Sequence, residues 1–249
     1  MSERDYHDSH YEHEAARILG TPLFARVHDR SARDFLRRTG IGRAHRVLSL
    51  GCGDGSLEAR LAPHVGEIVG TDVSPVAVEQ AQARAKEAGA ANLSFLVSDP
   101  GEPFPAGFGQ FDCVTAFAFL HHLGDGMIRD TLIAARARLR SGGVFYSSDP
   151  SRRRLVRLFA RFVSAAYDRY HSPDERELDP EALLALAEGA GFTEPQITYV
   201  DYFLGPLAWL APGTPSRLVP VLAALDDLAL SLPLLRRFAS SFSLTARIP

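Results

Sequence analysis

The sequence predicts an α/β fold, a doubly wound parallel sheet with helices on both faces. Three observations carry that reading. Between residues 46 and 148, five short apolar runs alternate with segments of helical periodicity. The first run ends in the glycine-rich turn Gly51-Cys-Gly-Asp-Gly55. The composition, 46% hydrophobic and 23% charged over 249 residues, is that of one ordinary globular domain.

Taken in order, residues 10–39 read as two helical stretches broken near Gly20-Thr-Pro22, with Ile18, Leu19, Leu23, Phe24 and Val27 spaced for helical faces. Arg46–Leu50 is the first strand. Residues 56–64 form a helix and Glu67–Thr71 the second strand. Pro75 opens a helix at a position proline tolerates, and that helix stops near Gly89. Leu93–Val97, Phe111–Phe117 and Gly142–Ser148 are the remaining strands, with a helix over 125–139. Residues 151–170 read as an Arg-rich amphipathic helix. Pro180–Ala190 is a short helix capped by Asp179 and closed near Gly191. Gln196–Phe203 and Ser241–Ile248 are late strands, separated by a strongly apolar segment from Leu204 to Phe238.

Composition excludes several classes. The net charge of -3 gives no basic field for nucleic acid. Cys52 and Cys113 do not make a disulfide framework and suit a reducing, cytoplasmic setting. The polar N-terminus has no apolar core of a signal peptide, and no run is long and apolar enough to span a membrane. Of the 27 basic residues, 26 are Arg, which we read as codon bias rather than function.

In a sheet of this kind ligands sit beyond the carboxyl ends of the strands, where strand order reverses. Gly51, Gly53 and Gly55 let backbone approach a ligand closely there, and the helix behind offers unpaired N–H groups. The spacing departs from G-x-G-x-x-G, because Ser56 stands at the third position, so pyrophosphate is less favoured than a carboxylate or a ribose. That also disfavours a nicotinamide-dependent oxidoreductase. Asp72 ends the second strand, where a carboxylate accepts from both ribose hydroxyls; Ser74 is the better cap for the next helix, leaving Asp72 for ligand. Asp99, after the third strand, is read equally as an acceptor from an exocyclic amine or as a turn residue before Pro100-Gly101.

Val47-Leu-Ser-Leu-Gly-Cys-Gly-Asp-Gly55, Gly70-Thr-Asp-Val-Ser-Pro75, Val97-Ser-Asp99, Phe111-Asp-Cys-Val114 and Leu139-Arg-Ser-Gly-Gly-Val144 resemble, in order and spacing, the motifs of class I S-adenosylmethionine-dependent methyltransferases. The resemblance covers roughly residues 45–150. It implies a Rossmann-like, seven-stranded, mostly parallel sheet whose last strand is antiparallel, and S-adenosylmethionine as cofactor. It further implies that Gly51, Cys52 and Gly53 pass under the methionine part and that Asp72 holds the ribose with Val73 against adenine. Ser98 and Asp99 would address the adenine edge, and Ala116 and Phe117 would line the sulfonium end. Quinone-precursor O-methyltransferases place metal-binding acids near here. This chain has Ala118 and His121 at those positions, so no metal is expected.

The chain then divides into an N-terminal helical cap (1–44), a cofactor-binding core (45–150) and a substrate-side part (151–249) with an apolar insertion at 204–240. His121 and His122 follow the fourth strand and are the candidate bases, since imidazole titrates near neutrality. Asp149, on the same edge, is read as a cap for the following helix rather than a ligand group. By analogy alone Tyr6, Tyr11, Tyr167, Tyr170 and His171 are pocket residues, Tyr6 or Tyr11 on a helix folded over the cofactor. The run Arg152, Arg153, Arg154, Arg157 and Arg161 is read as a solvated face before an anion site. The apolar insertion must cover the sheet, a second subunit in a homodimer, a greasy substrate or a peripheral membrane surface; a lid or dimer element is preferred. The expected activity is methyl transfer to oxygen, carbon or nitrogen of a hydrophobic small molecule. The alternative is a cofactor-binding protein that catalyses a rearrangement without transfer.

Overall fold

A computed structural model of the chain describes residues 3–13, 18–99, 108–155 and 175–249. Helices α1 (Glu3–His13) and α2 (Pro22–Thr39) come first. Then follow β1 (Arg46–Leu50), α3 (Ser56–Leu61), β2 (Glu67–Asp72), α4 (Pro75–Glu87) and β3 (Leu93–Val97). Next come β4 (Phe111–Phe117), α5 (Asp125–Arg138), β5 (Leu139–Pro150), α6 (Pro180–Gly189) and β6 (Thr193–Asp201). The last elements are α7 (Leu204–Leu210), α8 (Val219–Ser231), α9 (Pro233–Arg236) and β7 (Ser241–Arg247).

The strands make one seven-stranded sheet in the order β3-β2-β1-β4-β5-β7-β6. β1 to β5 pair in parallel, and β7 runs antiparallel between β5 and β6. Chain order reverses at β1, which has β2 on one side and β4 on the other. The crevice beyond the ends of β1 and β4 is therefore the ligand edge.

The central strands are almost continuously apolar because helices cover both faces. Alternate side chains go to opposite layers. Leu48, Val114 and Phe145 pack with Ile128 and Leu132 of α5 and Leu183 of α6. Val47, Cys113 and Tyr146 pack with Phe35 of α2 and Leu57 and Leu61 of α3. Phe35 meets the Tyr146 ring edge-on at 5.3 Å and is fully buried. Removing its ring costs about 3–5 kcal/mol on the usual scale for buried aromatics. The Tyr146 hydroxyl donates to Asp34 Oδ2 at 3.0 Å, which satisfies a polar group inside this layer.

Local signals set the helix ends. Thr21 Oγ1 accepts from the Phe24 amide at 3.3 Å, and Gly40 closes α2 with φ +70°. Ser74 Oγ accepts from the Ala77 amide and caps α4, as expected. Asp179 caps α6 through the Glu181 and Ala182 amides.

Several boundaries differ from the sequence reading. α1 starts at Glu3 rather than near residue 10, and β5 extends over Leu139–Pro150. β6 ends at Asp201, not Phe203, because the Asp201 carboxylate takes the Gly205 amide at 3.1 Å and turns the chain into α7. The predicted helix over 151–170 falls mostly outside the described residues. Of its described part, Ser151 bridges to Leu178, Arg153 pairs with Asp179 and Glu181, and Arg154 pairs with Glu177. Arg157 and Arg161 lie outside the described residues, as do Tyr167, Tyr170 and His171.

Candidate active site

A cavity of about 840 Å³ opens at the ligand edge, within the range usual for small-molecule sites. One wall is the turn after β1, with Gly51, Cys52, Gly53 and Asp54. Gly51 and Gly53 have φ +63° and +53°, a region that disfavours any Cβ. A Cβ on Gly51 would overlap the Phe119 ring, and one on Gly53 would overlap the Tyr11 hydroxyl. α1 lies beside this turn. Gln80 of α4 donates to the Tyr11 carbonyl at 2.9 Å, and Ser74 Oγ bonds Asp8. Tyr6 and Tyr11 both line the cavity.

The tip of β2 supports the turn. Asp72 Oδ2 accepts from the Gly53 amide and Oδ1 from the Ser74 amide, both at 2.9 Å. Burial holds the Asp72 carboxyl above the ordinary range, and the Ser74 and Gly53 amides partly offset that. The carboxylate is thus already engaged, in contrast to the expectation that capping by Ser74 would leave it free. The Val73 amide is hydrogen-bonded to it as well.

At the end of β4 the chain turns sharply. Ala118 has φ +47°, uncommon for a residue with a Cβ, and its amide donates to the Ser148 carbonyl at 2.8 Å. The one-turn helix Leu120–His122 follows and delivers both histidines to the cavity. His121 Nδ1 lies 3.2 Å from Asp149 Oδ1, and Nε2 lies 3.4 Å from Glu175 Oε1. Burial alone would lower the pKa of His121; the hydrogen bonds to the two carboxylates outweigh it and raise it to about 9. The ring is an imidazolium at neutral pH, with both nitrogens engaged. Asp149 is corrected by this geometry. It is not a helix cap but a buried residue of β5, and its Oδ1 also accepts the His121 amide at 3.2 Å. A carboxylate in that place fixes the orientation of the ring.

Apolar side chains also line the cavity, among them Leu19, Phe24 and Val27 from the N-terminal part and Leu204, Trp209 and Leu210 of α7. Trp209 meets the Phe24 ring edge-on at 5.0 Å. The start of the insertion, α7, thus contributes to the cavity lining.

Of the residues expected at the site, Gly51, Cys52, Gly53, Phe117, His121 and His122 line the cavity. Asp72, Val73, Ser98 and Asp99 sit at the neighbouring strand tips without lining it. Ala116 is corrected. It is fully buried in β4, with Leu50 of β1 and Ser147 of β5 as its register partners, so it supports the wall from behind. Its outward neighbours Phe117 and Ala118 line the space instead. Sequence reading missed Glu175, which nothing local marks and which reaches His121 from more than fifty residues away. It also missed His28 of α2, held neutral because burial, aided by Arg60, lowers its pKa to about 4. It missed Glu58 too, raised to about 7 by burial despite a 2.7 Å bond from Ser49 Oγ to its Oε1. Helical periodicity assigns such positions to a core face; only the fold shows that the face borders a cavity.

His121, His122 and Glu175 each offer one metal-ligating atom, all within 4.8 Å of one another. The imidazolium state of His121, with both ring nitrogens facing carboxylates, competes with coordination.

A reversed strand order, a glycine turn under a cavity and an acidic strand tip make the ligand edge of a Rossmann-like α/β fold. Residues 47–143 match the family model described as Methyltransferase domain. A ubiquinone biosynthesis O-methyltransferase of Psychrobacter arcticus is 30% identical over 175 residues, 67% of this chain and 66% of that protein. Magnesium protoporphyrin IX methyltransferase of Synechocystis, solved with S-adenosylhomocysteine, superposes with a TM-score of 0.64 at 18% identity, covering 99% and 98% of the two chains. The [4+2]-cyclase SpnF gives 0.62 at 22% identity, covering 89% and 81%. The matches to uncharacterised methyltransferases of Synechocystis and Bacillus subtilis cover 49% and 40% of their length, so the chain spans about half of these curated relatives.

Proposed function

We propose that the chain transfers the methyl group of S-adenosylmethionine to a hydroxyl of a hydrophobic small molecule. The observation that carries this reading is the cavity itself, lined by the glycine turn, by Leu204 and Trp209, and by the His121–Asp149–Glu175 set. The likeness to ubiquinone biosynthesis O-methyltransferases supports an oxygen acceptor.

The residues present fit the cofactor. Gly51 and Gly53 form a cradle that a Cβ would fill, and Asp72 holds the turn from the adjoining strand tip. Gly51, Cys52 and Gly53 would hold the amino-acid part, Asp72 the ribose hydroxyls, and Val73, Ser98 and Asp99 the adenine. When bound, the cofactor supplies an electrophilic methyl on a sulfonium, so the protein needs chiefly to align and to exclude water. The apolar side chains of Phe24, Leu204, Trp209 and Leu210 would seat the acceptor and keep water out.

An acceptor hydroxyl must lose its proton as it is methylated. Glu175, 3.4 Å from the His121 ring and lining the cavity, is the carboxylate placed to receive it. Asp149 positions the ring, and the ring positions Glu175.

The test is turnover with deuterium-labelled S-adenosylmethionine against apolar phenols and small polar alcohols. Labelled product and S-adenosylhomocysteine should appear together with the apolar acceptors. Glu175→Gln should lower kcat about 10²-fold or more, as loss of a proton acceptor does, with little change in cofactor affinity. Tight cofactor binding with no S-adenosylhomocysteine formed would favour a rearrangement without transfer. Turnover of the polar acceptors only would remove the hydrophobic assignment.

A further inference from the structure

Beyond the cavity, α8 and α9 present an apolar stripe to solvent. Val221, Leu225 and Leu228 fall at intervals of three or four residues on one face of α8; Leu218 in the turn before α8, Leu232 at the break after it and Leu235 of α9 continue the patch. All six are exposed, between 40% and 59%. This is not the core face of α8, which is Val219, Ala223, Asp226 and Ala229. Leu234 and Phe238 extend the patch. Eight of the twelve large exposed apolar side chains among the described residues thus fall within 218–238, a concentration that scatter does not produce.

The charges around the stripe decide what covers it. Arg217 precedes it and Arg236 and Arg237 follow it, all exposed and without a side-chain ion pair among the described residues. The only acids of α8, Asp226 and Asp227, are both held by Arg30, at 3.2 and 2.6 Å. The ends of the stripe are therefore cationic, while Arg30 leaves one net negative charge along the middle of α8. A second copy laid along the same stripe brings arginine against arginine in either direction, parallel or antiparallel. The geometry points to an anionic lipid surface as the partner. The apolar stripe enters the headgroup boundary and the three arginines meet lipid phosphates. α8 has 13 residues before the break at Pro233, so it lies in the interface, and no described helix is long and apolar enough to cross a membrane. α8 packs on α7 and α2, which line the cavity, so docking would set the apolar lining beside the phase in which greasy acceptors dissolve.

The test needs no methyl transfer and so stands apart from the proposed reaction. The full chain is sedimented with vesicles of phosphatidylcholine, with and without phosphatidylglycerol, at low and high salt. Binding is expected on the phosphatidylglycerol vesicles and should weaken as salt screens the arginines. Leu225→Glu with Leu228→Glu, and separately Arg217, Arg236 and Arg237 all changed to Gln, should each reduce it about tenfold or more. These positions are exposed, so circular dichroism and the melting midpoint should match the parent. No binding, equal binding to both vesicles, or a lipid-free dimer split by the double Glu variant would overturn the inference.

Discussion

His121 and Asp149 are joined twice across the carboxyl edge of the sheet, through the ring Nδ1 and through the backbone amide, both at 3.2 Å to the same Oδ1. One carboxylate oxygen thereby fixes both the position and the orientation of the imidazole. The pair ties the end of β4 to the end of β5, which run in parallel with Phe117 opposite Ser148.

That link predicts a pH dependence of stability. The folded-state pKa of His121, about 9, exceeds its ordinary value of 6.5. The stabilisation is therefore fully present below about pH 6.5 and is lost as pH rises through 9, amounting to about 3 kcal/mol. Asp149→Asn should flatten this part of the curve, in denaturant titrations run between pH 6 and 9.5, and the His121 imidazole resonance should titrate at lower pH.

Glu58 acts in a different window. Its carboxyl is raised from 4.5 to about 7 by burial, so stability falls as pH rises from about 4.5 to 7. Glu58→Gln keeps an acceptor for Ser49 and removes the buried charge. At pH 8 we expect the variant to be more stable by about 1–2 kcal/mol, and at pH 4.5 the two proteins should be equal within error. A variant less stable at pH 8 would show that the charge is compensated.

Asp72→Ala should weaken S-adenosylhomocysteine binding about 10- to 100-fold in calorimetry, the loss of one to two strong hydrogen bonds. Asp72→Asn should fall between, since one amide oxygen still accepts from Gly53 or Ser74.

Gly51→Ala places a Cβ at φ +63° and into the Phe119 ring. We expect a loss of about 1–3 kcal/mol, part strain and part overlap. Gly51→Ala with Phe119→Ala should lose less than the sum of the two single changes, because truncating the ring relieves the overlap but not the strain. Strict additivity would mean that the ring gives way freely.

Much of the site was legible because it is built from local backbone chemistry. Gly51 and Gly53 are needed where φ is positive, Ser74 caps the helix it precedes, and Asp72 ends a strand; each shows within a few residues. Ala116 was misplaced by one step because outward and inward positions alternate along β4, and the sharp turn at Ala118 shifts which of them meets the cavity. Asp149 was misread because an acid before a proline has the same local signature whether it caps a helix or faces a histidine.

The sequence by itself determined the alternation of strands and helices, the glycine turn and the presence of a pair of histidines after β4, since periodicity, φ preference and capping act over a few residues. Only the tertiary structure decided that Asp149 and Glu175 bracket His121, that α1 and α7 line one cavity, and that Arg30 pairs with both acids of α8. Those relations join residues 28 to nearly 200 positions apart, and they shift charge states through burial, a property that no short stretch of chain possesses before the sheet has assembled.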